Sequence, residues 1–108
     1  MNVVRIKPLS LNNAYGGRRF PMPVLTAYKE ELAYILPKLT VPTGKLKIKY
    51  QFGVSSKNAD GDNLVKCFQD ALAEQYGFND RQVYEWSGKK VDVKKGEEFC
   101  AFEITPIT

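Results

Sequence analysis

The sequence has 108 residues, of which 44% are hydrophobic and 26% are charged, so it predicts one folded domain of ordinary soluble composition. It contains no histidine and no apolar run long enough to cross a bilayer, which excludes an imidazole base or metal ligand and a transmembrane helix. The net charge of +4 is unevenly divided, with ten Lys/Arg and two acids in residues 1–57 and six Lys/Arg and ten acids in residues 58–108.

Hydrophobic periodicity predicts strands and helices in the order βαβαββ. Strands are predicted from alternating or short apolar runs at residues 3–7, 45–54, 82–87 and 99–104. Helices are predicted from apolar residues spaced three and four apart, at residues 24–36 and 61–75. Residues 91–93 either extend the third strand or return from a hairpin at Ser87-Gly88. We therefore expect a single α+β domain over residues 1–108, with helices packed on one face of a mixed sheet.

The basic half of the chain contains two groups of candidate phosphate contacts. Lys45, Lys47 and Lys49 share the polar face of a predicted strand, and either contact phosphates or form a solvated face that protects an edge, which we favour. The loop at residues 9–21 combines amides, glycines, arginines and aromatics, which suit phosphate and sugar contacts but also fit an ordinary surface loop. The charge division itself fits either a polyanion partner beside a carboxylate metal centre or two solvated faces of opposite sign.

The acidic half contains a cluster that can bind a hard cation. Its carboxylates, amides and lysine occupy a short stretch: Asp60, Asp62, Asn63, Lys66, Asp70, Asn79 and Asp80. Mg²⁺ prefers oxygen ligands, and a bound ion can polarise a phosphoryl oxygen and activate water. Each residue also has a structural explanation, as a helix cap, a first-turn acid, an i,i+4 partner or a turn residue. Taken singly, the structural explanations are favoured; taken together, the spacing weakens them but leaves both the structural explanation and the metal site open.

The two cysteines predict structure rather than chemistry. Cys67 and Cys100 are isolated, with no CxxC pattern and no histidine to complete a zinc site. We expect both to be buried reduced thiols in a cytoplasmic protein without a secretion signal.

At this point the spacing resembles a known family. The pattern Asp60-x-Asp62-Asn63-x-x-Lys66-x-x-x-Asp70, followed by Asn79-Asp80-x-Gln82-Val83, resembles the core motif of the RusA family of Holliday junction resolvases. Residues 8–20 and the closing strand at residues 99–104 are also similar to that family, so the resemblance covers nearly the whole chain. It implies a small homodimeric endonuclease that uses Mg²⁺, with Mn²⁺ as a substitute and no small-molecule cofactor. It also implies that the substrate is four-way junction DNA, which is cut by paired symmetric nicks in recombination and repair, in a bacterial or phage-infected cell.

The resemblance also implies roles for individual residues. By position, Asp60, Asp62 and Asp80 match the family's metal-binding catalytic acids, and Lys66 matches its catalytic lysine. Asn63 and Asp70 then either hold the metal-binding residues in position without binding the metal themselves, or have only a structural role. Candidate DNA contacts are Asn13, Tyr15, Arg18, Arg19, Lys45, Lys47, Lys49 and Lys57.

Two departures from the family pattern affect these assignments. Asn79 replaces the first acid of the family's usual Asp-Asp pair, which leaves Asp80 as the better candidate, and Ala59 stands where relatives often have a basic residue.

Tyr84 and Trp86 are candidate dimer contacts. The alternatives to a nuclease are a non-catalytic junction or duplex DNA-binding module and a structural phage protein.

Overall fold

Four strands form one mixed sheet in the order β1-β4-β2-β3. The computed structural model describes residues 1–10, 23–56 and 61–107. The strands are β1 (Asn2–Val4), β2 (Leu46–Val54), β3 (Val83–Asp92) and β4 (Phe99–Pro106), and the helices are α1 (Pro23–Ile35) and α2 (Gly61–Tyr76). A short 3₁₀ helix at Asp80–Gln82 precedes β3.

The crossover from β2 through α2 to β3 sets the position of the site. β3 pairs with β2 in parallel, whereas β4 pairs antiparallel with both β2 and β1. Parallel neighbours need a crossover connection rather than a hairpin, and α2 supplies it. The predicted α+β architecture and the order βαβαββ are confirmed. Because β3 is the outermost strand, its far side is an edge of the sheet.

The core lies between β2 and the two helices. The even-numbered positions of β2 from Leu46 to Val54 are buried, as their alternation predicts. Phe68 of α2 is fully buried, and its ring meets those of Tyr50, Phe52 and Phe102 edge-on at centroid distances of 5.8–6.0 Å. Such contacts add to the burial energy of the rings, so α2 is fixed over β2 and β4. Its remaining exposed face is turned toward β3.

The structure decides between the two interpretations of residues 91–93. β3 is one continuous strand, in which residues 85–92 pair successively with residues 47–54 of β2. Val91 and Asp92 therefore extend the strand, and a hairpin at Ser87-Gly88 is wrong, because the backbone there is engaged by β2. β1 is shorter than the predicted strand at residues 3–7. It ends at Val4, whose carbonyl accepts a hydrogen bond from the Ile6 N–H at 3.0 Å.

Candidate active-site cleft between α2 and β3

An open cleft of about 890 Å³ runs between α2 and β3. One face of α2 contributes Asp62, Lys66 and Gln69, whose spacing of four and three residues aligns them along the helix. The 3₁₀ helix contributes Asp80, and β3 contributes Trp86 and its neighbours as far as Lys90. The structure thus brings the predicted residues Asp62, Lys66 and Asp80 to one surface.

Asp62 lies in the first turn of α2, where the helix dipole favours a negative charge. The predicted structural role of Asp62 as a first-turn acid is therefore confirmed, and it is compatible with a role in metal binding. A first-turn acid can stabilise its helix and still present its carboxylate to the cleft. Asn63, the next residue, is half-buried on the same turn.

Asp70 is in direct contact with Asp80. Burial raises the pKa of the Asp70 carboxyl above its ordinary value, and the charge of Asp80 and a hydrogen bond to it raise the pKa further. Lys29 and Lys66 oppose these effects without cancelling them. Two acids from neighbouring elements, α2 and the 3₁₀ helix, are thus held together with an excess of negative charge. Such a pair favours a proton or a cation between its oxygens, and the supporting or structural role of Asp70 stays a prediction.

Asn79 fixes the position of Asp80. The Asn79 side chain accepts a hydrogen bond from the Arg81 N–H at 2.9 Å, and the Gln82 side chain accepts one from the Asn79 N–H at 2.9 Å. The Gln82 amide also donates to the Gly44 carbonyl at 3.0 Å, which ties the turn to the start of β2. This reciprocal cap uses the Asn79 side chain. Asp80 is therefore the residue of the Asn79-Asp80 pair that lines the cleft.

A buried tyrosine orients an amide in the cleft wall. The Tyr50 hydroxyl donates a hydrogen bond of 2.7 Å to Oε1 of Gln69. Burial, with smaller contributions from the charges of Asp80 and Asp70, raises the pKa of Tyr50 far above its ordinary value, so the hydroxyl remains a donor. Because the Gln69 oxygen is engaged, its N–H groups are the part of the amide left to bind an anion such as a phosphate. Neither residue was predicted as a site residue, although Gln69 shares the helix face of Asp62 and Lys66.

The two acids of the described part of α2 that concern the site, Asp62 and Asp70, occupy two levels along the helix. Asp62 and Asp70 are eight residues apart on α2, and a rise of 1.5 Å per residue separates them by roughly 12 Å along the helix axis. Asp80 interacts with Asp70 and also lines the cleft with Asp62, and Lys66 lies on α2 between the two levels. Within residues 1–10, 23–56 and 61–107, no three acid or cysteine side chains are grouped closely enough to hold a metal ion. Asp60 lies outside these ranges, so the convergence of Asp60, Asp62 and Asp80 stays a prediction.

The predicted lysine row lies away from the cleft. Lys45 places its Nζ 4.8 Å from the centroid of the Tyr84 ring, and Lys47 forms an ion pair of 3.8 Å with Glu85. Lys47 and Lys49 alternate with the buried residues of β2, so they project from the face opposite α1 and α2. The lysines at the cleft itself are Lys66, Lys89 and Lys90, of which the last two were not predicted. Lys89 pairs with Gln51 and projects to the opposite face, whereas Lys90 pairs with the buried Phe52 and faces α2.

The remaining predicted DNA contacts cannot be placed. Asn13, Tyr15, Arg18, Arg19 and Lys57 lie outside the described residues, as does Asp60. Both cysteines lie within them, and both are buried and free, as expected. Among the described helices, none is long and apolar enough to cross a membrane.

Comparison with known proteins supports the motif on which the resemblance rests. A model of the family described as Endodeoxyribonuclease RusA matches residues 10–98, which is most of the chain. The matched range includes both helices, β2, β3 and every residue that lines the cleft. No curated protein matches the chain significantly.

Proposed function

We propose that this chain, which belongs to the RusA endodeoxyribonuclease family, resolves four-way DNA junctions by paired symmetric phosphodiester cleavage that depends on Mg²⁺. The observation that carries the proposal is the cleft, in which Asp62, Lys66 and Asp80 of the family motif line one surface with Lys90. A family of endodeoxyribonucleases and a cleft with acids and lysines together point to hydrolysis of a nucleic-acid backbone.

The donors in the cleft suit a hard divalent cation. The described acids supply only carboxylate oxygens, which Mg²⁺ and Mn²⁺ prefer, and no imidazole exists in the chain to favour zinc. The raised pKa of Asp70 beside Asp80 is an independent sign of fit, because a cation would offset their repulsion. We infer that Asp60, Asp62 and Asp80 hold the metal, with Asp70 beside Asp80. When bound, the ion would polarise the scissile phosphate and lower the pKa of a coordinated water.

The other side chains of the cleft have separate roles in stabilising and orienting the phosphate and in binding the DNA. Lys66 offers an ammonium group between the two levels of acids, where it stabilises the extra negative charge that develops on the phosphate. The Gln69 amide, fixed by Tyr50, donates to a phosphate oxygen and helps to orient it. Lys90 on β3 pairs with the buried Phe52, so it shares the helix-facing side with Trp86 and holds the DNA backbone across the cleft from α2.

The symmetry of the substrate favours a two-fold dimer. A four-way junction needs two symmetric nicks, and one active site per chain cannot reach both positions at once. Analytical ultracentrifugation at micromolar concentration should therefore show a species of twice the chain mass. A strict monomer that still makes paired nicks would contradict the dimer.

Substitutions in the cleft test the proposed chemistry. Asp62→Asn and Asp80→Asn keep the size of each side chain and remove its charge. We expect cleavage of a synthetic four-way junction in Mg²⁺ to fall at least a hundredfold, and junction binding in EDTA to be unchanged or tighter, because phosphate contacts determine binding. Asp92→Asn is the matched control, since Asp92 is an exposed aspartate at the end of β3 and does not line the cleft. Wild-type cleavage by both cleft variants would contradict the metal site, and binding without cleavage by the wild-type chain would favour a DNA-binding module.

A further inference from the structure

Trp86 is a large apolar side chain left exposed inside a charged cleft. Its exposed fraction is 64%, although burying an indole is strongly favourable in water. It lines the same cleft as Asp62, Lys66 and Asp80. Nothing in the described core depends on it, because the rings that pack against α2 belong to Tyr50, Phe52 and Phe102.

An irregularity in β3 directs Trp86 to this side of the sheet. Leu46 pairs with Val83, but the next residue of β2, Lys47, pairs with Glu85, so the register skips Tyr84. Trp86 is consequently the partner of Ile48, which is fully buried on the helix-facing side. With an unbroken register, Trp86 would pair with Lys49 and point to the opposite face, since a shift of one residue reverses every side chain.

The surroundings of Trp86 leave room for a flat ring. Gly88 follows it on the same face, opposite Tyr50, and a Cβ added there would lie 3.3 Å from Cγ2 of Val65. The absence of a side chain at Gly88 keeps the strand surface between Trp86 and Lys90 open. Val65 of α2 comes close to Gly88, but both Gly88 and the indole stay exposed, because β3 is an edge strand.

We propose that Trp86 is a stacking platform for a nucleobase that is unstacked at the branch point, next to the phosphate to be cut. This inference rests on the proposed function and adds the group that recognises the branch. Aromatic side chains bind exposed bases through their faces without regard to sequence, and the flanking lysines bind the adjoining phosphates. A base in a continuous duplex is stacked on both sides and is not offered to the indole. At a distorted crossover, bases are unstacked on one side and can stack on the indole. The contact therefore favours junctions over linear DNA.

The competing occupant of this surface is a second copy of the chain. Trp86 was a candidate dimer contact from sequence, together with Tyr84. The register skip separates the two residues, because Tyr84 lies under the Lys45 ammonium group whereas Trp86 lines the cleft with the acids. The net charge of the chain, +4, also favours a polyanion over a second copy, which carries the same charge.

Trp86 is the only tryptophan in the chain, so its fluorescence reports on this contact alone. The wild-type protein is titrated in EDTA, where no cleavage occurs, with a four-way junction and with linear duplexes of the same arm sequences. We expect the junction to quench the emission strongly and the duplexes to quench it weakly. Without DNA, we expect the emission of a solvated indole at every protein concentration. Equal quenching by junction and duplex, or a blue-shifted emission that depends on protein concentration without DNA, would overturn the proposal.

Variants separate stacking from the proposed cleavage reaction. Trp86→Ala should weaken junction binding roughly 5- to 100-fold and duplex binding far less, whereas Trp86→Phe should restore most of the preference for junctions. The matched control is Tyr84→Ala, which removes a neighbouring aromatic that is 58% exposed but engaged by Lys45. Circular dichroism is used to check that each variant is folded. If the wild-type chain cleaves junctions and Trp86→Ala binds them equally well, stacking is wrong and the proposed function stands. If the wild-type chain is quenched but never cleaves, the proposed function fails and stacking stands.

Discussion

The contact between Asp70 and Asp80 predicts a variant that is more stable than the wild-type protein. Asp70→Asn removes one of two like charges and keeps the shape of the side chain. Two unit charges 4 Å apart repel by about 1 kcal/mol in water and by about 4 kcal/mol at an effective dielectric constant of 20. Asp70 is half-buried but Asp80 is exposed to solvent, so the lower value applies. We therefore expect the metal-free variant to gain about 1 kcal/mol at pH 7.5, which raises Tm by roughly 4 °C in a domain of this size.

The gain should disappear in acid. The pKa of Asp70 is raised in the folded protein, so the folded state binds this proton more tightly than the unfolded chain does. The favourable contribution of protonated Asp70 is complete below its ordinary pKa of 3.8 and is lost as the pH rises through the raised value. Asparagine is neutral throughout, so wild type and variant should converge in stability as the pH falls toward 4.

Thermal unfolding in EDTA, followed by circular dichroism from pH 7.5 to pH 4, measures this difference. Asp92→Asn serves as the control because it removes one exposed charge of the same kind without touching the acid pair. Addition of Mg²⁺ should stabilise the wild-type protein more than the Asp70→Asn variant. A variant that is less stable than wild type at pH 7.5, or a gain that does not change with pH, would refute the proposed repulsion.

Three further variants or reagents test other parts of the account. Lys66→Met keeps the aliphatic part of the side chain and removes the ammonium group, so cleavage should fall about a hundredfold or more while junction binding in EDTA changes little. If cleavage and binding fell by the same factor, Lys66 would act in binding alone. Burial raises the pKa of Cys67 to about 11 and that of Cys100 to about 12, so a disulfide reagent at pH 8 should label neither thiol until the protein is unfolded, and rapid labelling of the native protein would contradict their burial. Tyr50→Phe should lower cleavage and destabilise the fold by about 1 kcal/mol. Tyr76→Phe, which loses a 2.6 Å hydrogen bond to a backbone carbonyl outside the cleft, should affect stability only, and equal activity of the two variants would remove Tyr50 from the account.

Local patterns were sufficient to predict the elements that form the core. Alternation at residues 45–54 and helical spacing at residues 61–75 describe β2 and α2 nearly to the residue. In both segments, burial of one face and the local conformational preference agree. The sequence could also predict that Asp62 and Lys66 share a face, because helical spacing alone determines it.

Contacts that depend on strand register were not predictable in the same way. The contact of Asp70 with Asp80 depends on how far the crossover returns the chain along α2. The position of Trp86 depends on the register skip at Tyr84. The residues of β3 do not alternate strictly between apolar and polar, so the sequence does not show which residue is bulged. The hairpin at Ser87-Gly88 was wrong for the related reason that glycine in a strand also marks close packing, here against Val65.

Junction cleavage by the wild-type protein tests the central claim most directly. A four-way junction with each strand end-labelled in turn is incubated with the protein in Mg²⁺, in Mn²⁺ and in EDTA, beside linear duplexes of the same arm sequences. The account predicts nicks in two opposing strands at symmetry-related positions near the branch point, in Mg²⁺ or Mn²⁺ only, with the duplexes left intact. Cleavage in EDTA, equal cleavage of the duplexes, or a junction that is bound but never cut in any divalent metal would contradict it.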